Sequence, residues 1–167
     1  MSATPPVARA MNHVAYVTTD TQATIRFYTE VLGLKHVHTI TGDRDATGAE
    51  LPHVHTFFAT TSGECLAFFE IMGVRPGPPD GAPRWARHIA LSVDSAETLA
   101  AWKKHLKGQG VEVFGPVDHD GVWASIYFDD PNGIMLELTH QSRALTPAEA
   151  AEAPRLAREW LASHHRA

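Results

Sequence analysis

The stretch Asn12-His13-Val14-Ala15-Tyr16-Val17 returns in altered form as Arg87-His88-Ile89-Ala90-Leu91-Ser92-Val93, and this repetition decides the fold. The two histidines are 88 − 13 = 75 positions apart. The aspartates that follow them are 94 − 20 = 74 apart, and the glycines further on are 108 − 33 = 75 apart. Three landmarks at almost one offset indicate an internal repeat, and a repeat constrains the architecture of the whole chain.

Each copy of the repeat begins with a strand and continues into a helix. Asp20 and Asp94 are expected to be helix N-caps, where a side-chain oxygen accepts a backbone N–H that the helix leaves unpaired. Gly33 and Gly108 suit the left-handed residue that follows a helix end. The landmarks of the repeat therefore have a structural meaning, since they mark where each helix starts and stops.

Three runs typical of strands follow each helix. In the second copy, the strong turn signals Asp120-Gly121 and Asp130-Pro131-Asn132-Gly133 separate these three runs. In the first copy, residues 42–51 form a polar insertion. The expected strands cover residues 35–41, 53–60 and 64–72 in the first copy, and residues 111–115, 122–128 and 134–139 in the second.

The sequence thus predicts an α+β protein made of two βαβββ modules, at residues 11–74 and 87–140. Residues 75–86, rich in proline and glycine, are expected to link them. The paired modules should form a cupped mixed β-sheet with helices on its outer face. A helical extension is expected at residues 144–165, begun by the capping box Thr146-Pro147-Ala148-Glu149 and kinked or restarted at Pro154.

Composition narrows the classes of function. The chain has 167 residues, of which 44% are hydrophobic and 20% charged, as in globular proteins. Its net charge is −5 and its lysines and arginines are scattered, which disfavours nucleic acid and anionic membranes as partners. Cys65 is the only cysteine, no apolar run is long enough for a bilayer, and the N-terminus lacks the apolar core of a secretion signal. We therefore expect a cytoplasmic protein.

Four polar residues stand at the strands that begin and end the modules. His13 and His88 open the first strands, while Glu70 and Glu137 lie in the last ones. Alternation along a strand directs His13, His88 and Glu137 to the concave side. Any one of these residues alone is better explained as ordinary core or surface, but the four together favour one divalent metal ion. Imidazole and carboxylate are the ligands of Fe(II), Mn, Ni or Zn.

Several phrases are similar to those of a known family. Phe27-Tyr28, Val31-Leu32-Gly33-Leu34, His88-Ile89-Ala90 and Asp130-Pro131-Asn132-Gly133 resemble the vicinal oxygen chelate superfamily, and the resemblance covers residues 11–140. It implies two βαβββ modules around a divalent metal, with ligands on the first and last strands of each module. It also implies a homodimer, and it leaves open whether the metal site forms within one chain or across two.

The resemblance to type I extradiol dioxygenases is the more extended one. Their pattern reads here as His119, Ile126-Tyr127, Asp130-Pro131-Asn132-Gly133 and Glu137. It implies Fe(II) held by His13, His88 and Glu137, with a catechol-type substrate and O2. It also implies that His119 hydrogen-bonds a catechol oxygen and that Tyr127 steadies the oxygenated intermediate. The acid–base histidine of that family is absent from the strand of Glu70, and His53 or His55, one strand earlier, is a possible replacement.

A second resemblance is to glyoxalase I, which uses a His-Glu-His-Glu ligand set. His13, Glu70, His88 and Glu137 reproduce that set, with a small carbonyl substrate and a ligand glutamate that moves a proton. Val17 and Val74 stand where that family has an arginine and an asparagine, which weakens this alternative. A third alternative is a protein that binds antibiotics between its modules without catalysis. We favour the dioxygenase because its pattern is longer than a set of ligands.

Overall fold

The computed structural model describes residues 8–75 and 81–164. The chain divides into two units. The first comprises residues up to His88 together with Asp129–Met135, and the second comprises Ile89–Phe128 and the residues from Leu136 onward. Part of the expected linker, residues 76–80, and the last position of the expected C-terminal extension, residue 165, lie outside the described residues.

The first unit contains a four-stranded mixed sheet. Strand β1 pairs in parallel with β4, β4 pairs antiparallel with β3, and β3 pairs antiparallel with β2. The strand order is therefore β1-β4-β3-β2. The polar insertion is shorter than expected because the two strands flanking it continue, leaving residues 45–49 between them. The strands are β1 (His13–Val17), β2 (Lys35–Arg44), β3 (Glu50–Ala59) and β4 (Cys65–Ile71).

Helix α1 (Thr21–Arg26) continues into a π-helical turn at Phe27–Val31. The Asp20 carboxylate accepts the backbone N–H of Ala23 at 2.8 Å, so the predicted N-cap is confirmed. Gly33 has φ +68°, the left-handed conformation expected where this helical segment ends. Both limits of the first helical segment thus follow from local sequence.

The core of the first unit forms where this helical segment packs on one face of the sheet. The Tyr28 ring lies 5.2 Å from Phe58 and 4.8 Å from Phe68, and all three side chains are fully buried. The Tyr28 hydroxyl donates to the Asp130 carboxylate at 3.0 Å. This contact ties the turn 130–133 to the core of the first unit.

The second unit contains a second four-stranded sheet, with the order β5-β8-β7-β6. Strand β5 begins at His88, where the first unit ends. Strand β6 begins at Phe114, later than the sequence predicted, and runs on to His119. The elements are β5 (His88–Ser92), α2 (Ala96–Gly108), β6 (Phe114–His119), β7 (Trp123–Asp129) and β8 (Met135–Gln141).

The limits of helix α2 correct two predictions. Ser95, not Asp94, is the N-cap, because its hydroxyl accepts the backbone N–H of Thr98 at 3.1 Å. Gly108 is still helical, and Gly110, with φ +79°, is the left-handed residue beyond the end. The predicted helix is present, but each landmark is displaced by one or two residues.

Helix α3 (Pro147–His164) follows the second sheet. Thr146 and Glu149 exchange backbone-to-side-chain hydrogen bonds of 2.7 and 3.2 Å, which confirms the capping box. The helix runs through Pro154 as one element, so it does not restart there, and the alternative of a kink at Pro154 stays a prediction. Along the described residues, no helix combines the length and apolarity needed to cross a membrane.

Candidate metal centre

His13 lies at the start of β1 with one ring nitrogen already engaged. Its Nδ1 lies 2.7 Å from the Asn12 side-chain oxygen, which can only accept, so Nδ1 carries the proton. The lone pair is then on Nε2, the nitrogen that a metal would use. A hydrogen bond of this kind fixes the tautomer and ring orientation of metal-binding histidines.

His88 has the same arrangement at the start of β5. Its Nδ1 donates to the carbonyl oxygen of Trp85 at 3.0 Å. Trp85 belongs to the short 3-10 turn Arg84–Ala86, which immediately precedes β5. This turn therefore sets the imidazole so that Nε2 carries the lone pair, as in His13.

Glu137 lies in the middle of β8 and is only 6% exposed. The neighbouring Leu136 and Leu138 are buried on the opposite face of the strand, as alternation predicts. Burying a carboxylate is unfavourable unless hydrogen bonds or a cation compensate for the lost water. Glu137 is thus a strong candidate metal ligand that is largely shielded from solvent.

The structure brings His119, Tyr127 and Glu137 together in the second unit. The Nε2 of His119 lies 2.7 Å from the Tyr127 hydroxyl, across the β6–β7 hairpin. Burial raises the pKa of Tyr127, and the nearby negative charge of Glu137 raises it further. The phenol therefore keeps its proton at neutral pH and remains a hydrogen-bond donor.

Glu70 does not join His13 in the first unit. Its carboxylate accepts the backbone N–H of Thr21 at 2.8 Å, at the first residue of helix α1. By strand alternation Glu70 shares a face with Phe68, which packs on Tyr28. His13 lies on the other face, beside Phe57 at 5.6 Å. The expected convergence of Glu70 with His13 does not occur, because the two side chains leave opposite faces of the sheet.

The register of the repeat explains why Glu70 and Glu137 differ. The backbone N–H of Thr18 donates to the Phe69 carbonyl, and that of Val93 donates to the Thr139 carbonyl. Equivalent residues of the last strands are therefore 139 − 69 = 70 positions apart. The counterpart of Glu137 is Ala67, not Glu70, so the first module offers no carboxylate at the equivalent position.

His55 is a buried histidine on the same face as His13, and the ligand set from the sequence did not include it. Its ring is stacked on Phe69 at 3.5 Å and lies 6.5 Å from the ring of His13. It is 8% exposed, and its Nε2 is buried with no hydrogen-bond partner among the described residues. Burial lowers the pKa of His55, and the neighbouring His13, His53 and His38 lower it further. The alternation His53-Val54-His55 was the available signal.

A pocket of about 620 Å³ opens in the first unit beside His88. Tyr16 and Met135 contribute apolar surface to it, and Arg84 and Arg87 contribute positive charge. No aspartate or glutamate is among its lining residues in the described part of the chain.

His13, His88 and Glu137 have the chemistry that a divalent cation requires. The Nδ1 atoms of both imidazoles are held by hydrogen bonds, and the carboxylate is buried. In this single chain, however, no three His, Cys, Asp or Glu side chains of residues 8–75 and 81–164 are grouped closely enough to hold a metal ion. His13 and His88 belong to the first unit and Glu137 to the second, and each side chain is individually suited to bind a metal ion.

Comparison with known proteins gives a consistent picture. The family model for the Glyoxalase/Bleomycin resistance protein/Dioxygenase superfamily matches residues 10–138. The metallothiol transferase FosB of Bacillus licheniformis is 31% identical over 129 residues, which are 77% of this chain and 73% of that protein. A glyoxylase/bleomycin resistance protein/dioxygenase domain from Frankia sp. EAN1pec has a TM-score of 0.64 and 20% identity, over 81% of this chain and 99% of that one. The fosfomycin resistance protein FosX from Listeria monocytogenes, complexed with Mn(II) and sulfate, has a TM-score of 0.55 and 20% identity, over 87% and 99%. These two structural matches show the fold.

Proposed function

This chain belongs to the Glyoxalase/Bleomycin resistance protein/Dioxygenase superfamily, and on that premise we propose that it is a metal-dependent enzyme that cleaves the ring of a catechol-type substrate with O2. The observation that carries the proposal is the contact of His119 with Tyr127, next to the buried Glu137. These three residues also occupy the positions of the extradiol pattern.

The proposed metal ligands are His13, His88 and Glu137. Glu70 is left out because its carboxylate is engaged with the start of helix α1. Two histidines and one carboxylate are the facial triad of non-haem Fe(II) oxygenases, so Fe(II) is the proposed metal, with Mn, Ni or Zn as alternatives. When bound, the metal would supply coordination positions for the two vicinal oxygens of the substrate and for O2.

The side chains around the proposed triad have separate tasks. Tyr127 stays protonated at neutral pH, because burial raises a pKa that is already well above neutral, and it can donate a hydrogen bond to a substrate oxygen. His119 orients the Tyr127 hydroxyl through the 2.7 Å contact and can exchange a proton with it. Both atoms of O2 enter the ring-opened product, so the reaction needs no further reductant.

A second candidate is the transfer of a thiol to an electrophilic substrate. The 31% identity to a metallothiol transferase favours it, as does the omission of Glu70, since three protein ligands leave room for a substrate. The Mn(II) in the FosX structure makes Mn(II) the metal to test for this activity. The glyoxalase alternative loses support because it depends on Glu70 as the fourth ligand.

We also propose a homodimer in which one copy contributes His13 and the other contributes His88 and Glu137. The support is the resemblance to the superfamily and the exposure of His13 and His88 in the isolated chain. A dimer of this kind would give two equivalent sites, as a two-fold axis requires.

The reaction is tested by loading the protein with Fe(II) without oxygen and then adding air-saturated buffer with a panel of catechols. We expect O2 uptake together with a coloured ring-opened product. Tyr127→Phe should lower kcat by about 10²-fold or more, because it removes a proton donor. His105→Ala, a histidine on helix α2, is the matched control and should keep full activity. Absence of O2 uptake with every catechol, alongside thiol consumption with Mn(II) and fosfomycin, would establish the second candidate instead.

A further inference from the structure

The pocket beside His88 carries two guanidinium groups within four residues of the chain. Arg84 and Arg87 both line it; Arg84 is the first residue of the 3-10 turn that orients His88, and Arg87 directly follows that turn. The chain as a whole has a net charge of −5, so this positive group runs against the average charge of the protein. Guanidinium groups at the wall of a pocket attract small anions.

Arg84 has a partner that a ligand can replace. Its guanidinium forms an ion pair with Asp129 at 2.5 Å, but the two side chains are 65% and 43% exposed. Ion pairs at such exposure contribute little to stability, because water and salt screen them. A carboxylate entering the pocket would therefore compete for Arg84 at little cost to the fold.

The remaining walls are mostly apolar. Ala82, Ala86, Ile134 and Met135 line the pocket together with the ring of Tyr16. A volume of about 620 Å³ is within the range of pockets that hold small organic ligands. Two arginines among otherwise mostly apolar walls fit an amphipathic ligand with an anionic end.

We propose that this pocket binds the carboxylate of an aromatic substrate through Arg84 and Arg87. The planar guanidinium can donate two parallel hydrogen bonds to a carboxylate, which gives both affinity and orientation. The inference deepens the proposed function and rests on it for one point only, namely that the molecule bound here is the ring that is cleaved. The substrate class is then a catechol with a carboxylate substituent.

Binding is measured on the metal-free full chain by isothermal titration calorimetry, so that no catalysis is needed. The probes are 3,4-dihydroxybenzoate and its neutral counterpart 3,4-dihydroxybenzamide, which differ in charge and hardly in shape. We expect the benzoate to bind at least about 10-fold more tightly, an advantage that added salt should reduce. In Arg84→Gln/Arg87→Gln the two probes should bind equally. Arg155→Gln, an exposed ion-paired arginine on helix α3, is the control and should change nothing.

Asp129→Asn is the complementary variant. It removes the competing carboxylate of Arg84 and leaves both arginines in place, so the benzoate should bind several-fold more tightly. Equal affinity for the two probes, or an advantage that survives loss of both arginines in a variant with unchanged circular dichroism, would overturn the proposal. Tighter binding of phenylphosphonate than of the benzoate would also overturn it, because the site would then favour a tetrahedral oxyanion. Arginine-dependent binding without any O2 uptake would keep the anion site and remove only the proposed reaction.

Discussion

Replacing Tyr28 by phenylalanine tests how the turn 130–133 is held to the core. The change deletes one hydroxyl and leaves the ring that packs on Phe58 and Phe68. The deleted group donates to Asp130 at 3.0 Å, in a place where Tyr28 is 0% and Asp130 is 5% exposed. Water cannot readily replace the lost donor at such burial.

The expected cost follows from what remains around Asp130. A hydrogen bond to a charged group contributes about 1.5–3 kcal/mol. The carboxylate keeps the backbone N–H groups of Asn132 and Ile134, each at 2.8 Å, and the Asn132 side-chain amide at 2.9 Å. With three donors retained, we expect Tyr28→Phe to lower the free energy of unfolding by about 2 kcal/mol at neutral pH.

The cost should also depend on pH. Burial raises the pKa of Asp130 above its usual value, and hydrogen bonds from Asn132, Ile134 and Tyr28 offset part of the rise. A raised pKa in the folded state means that this group stabilises most below its ordinary pKa, and that the contribution is lost as pH rises through the folded value. Removing the Tyr28 donor moves the pKa of Asp130 higher, so the substitution should cost least below about pH 4.

Urea unfolding at a series of pH values measures both effects, provided that the slopes of the transitions agree. Tyr16→Phe is the control, because Tyr16 is 39% exposed and should lose less than about 0.5 kcal/mol. A cost below about 0.5 kcal/mol for Tyr28→Phe at neutral pH, or a cost that does not change with pH, would refute the reasoning.

Two further predictions concern the backbone and the assembly. Gly115→Ala should cost about 2–4 kcal/mol in urea unfolding, because φ is +102° and the new Cβ would lie 2.7 Å from the Ser125 carbonyl oxygen. Gly42→Ala meets only the end of the His53 side chain, at 2.8 Å, so it should cost under about 1 kcal/mol, and equal costs would contradict this account. Inactive His13→Ala and Glu137→Ala proteins, mixed under exchange conditions, should recover about one quarter of wild-type activity if the site is shared, since half the dimers are mixed and each has one intact site. No recovery despite verified exchange would place all three ligands in one chain.

Much of the fold could be predicted because the repeat leaves local marks. Asp20 and Gly33 limit the first helical segment as expected, and the turn 130–133 is built by the Asp130 carboxylate. The Asp94 prediction was wrong because Ser95, one residue later, is an equally good cap. Sequence alone does not decide between two adjacent capping residues.

The candidate metal ligands could be predicted in part from the sequence. His13 and His88 hold the anchored tautomer that metal ligands need, and Glu137 is buried. Glu70 was grouped with them as the glutamate of the last strand of its module, but the residue in register with Glu137 is Ala67. His55 was underrated because its ring stacks on Phe69 of the neighbouring strand β4, a pairing that depends on strand register and that no local pattern predicts.

Metal binding by four single variants tests the central claim most directly. Equilibrium dialysis with Fe(II) under anaerobic conditions, and with Mn(II), should give one ion per wild-type chain. His13→Ala, His88→Ala and Glu137→Ala should each lose that ion while keeping the wild-type circular dichroism spectrum, whereas Glu70→Gln should keep it. Stoichiometric metal in the Glu137→Ala protein, or loss of metal from a folded Glu70→Gln protein, would contradict a centre built on two histidines and Glu137.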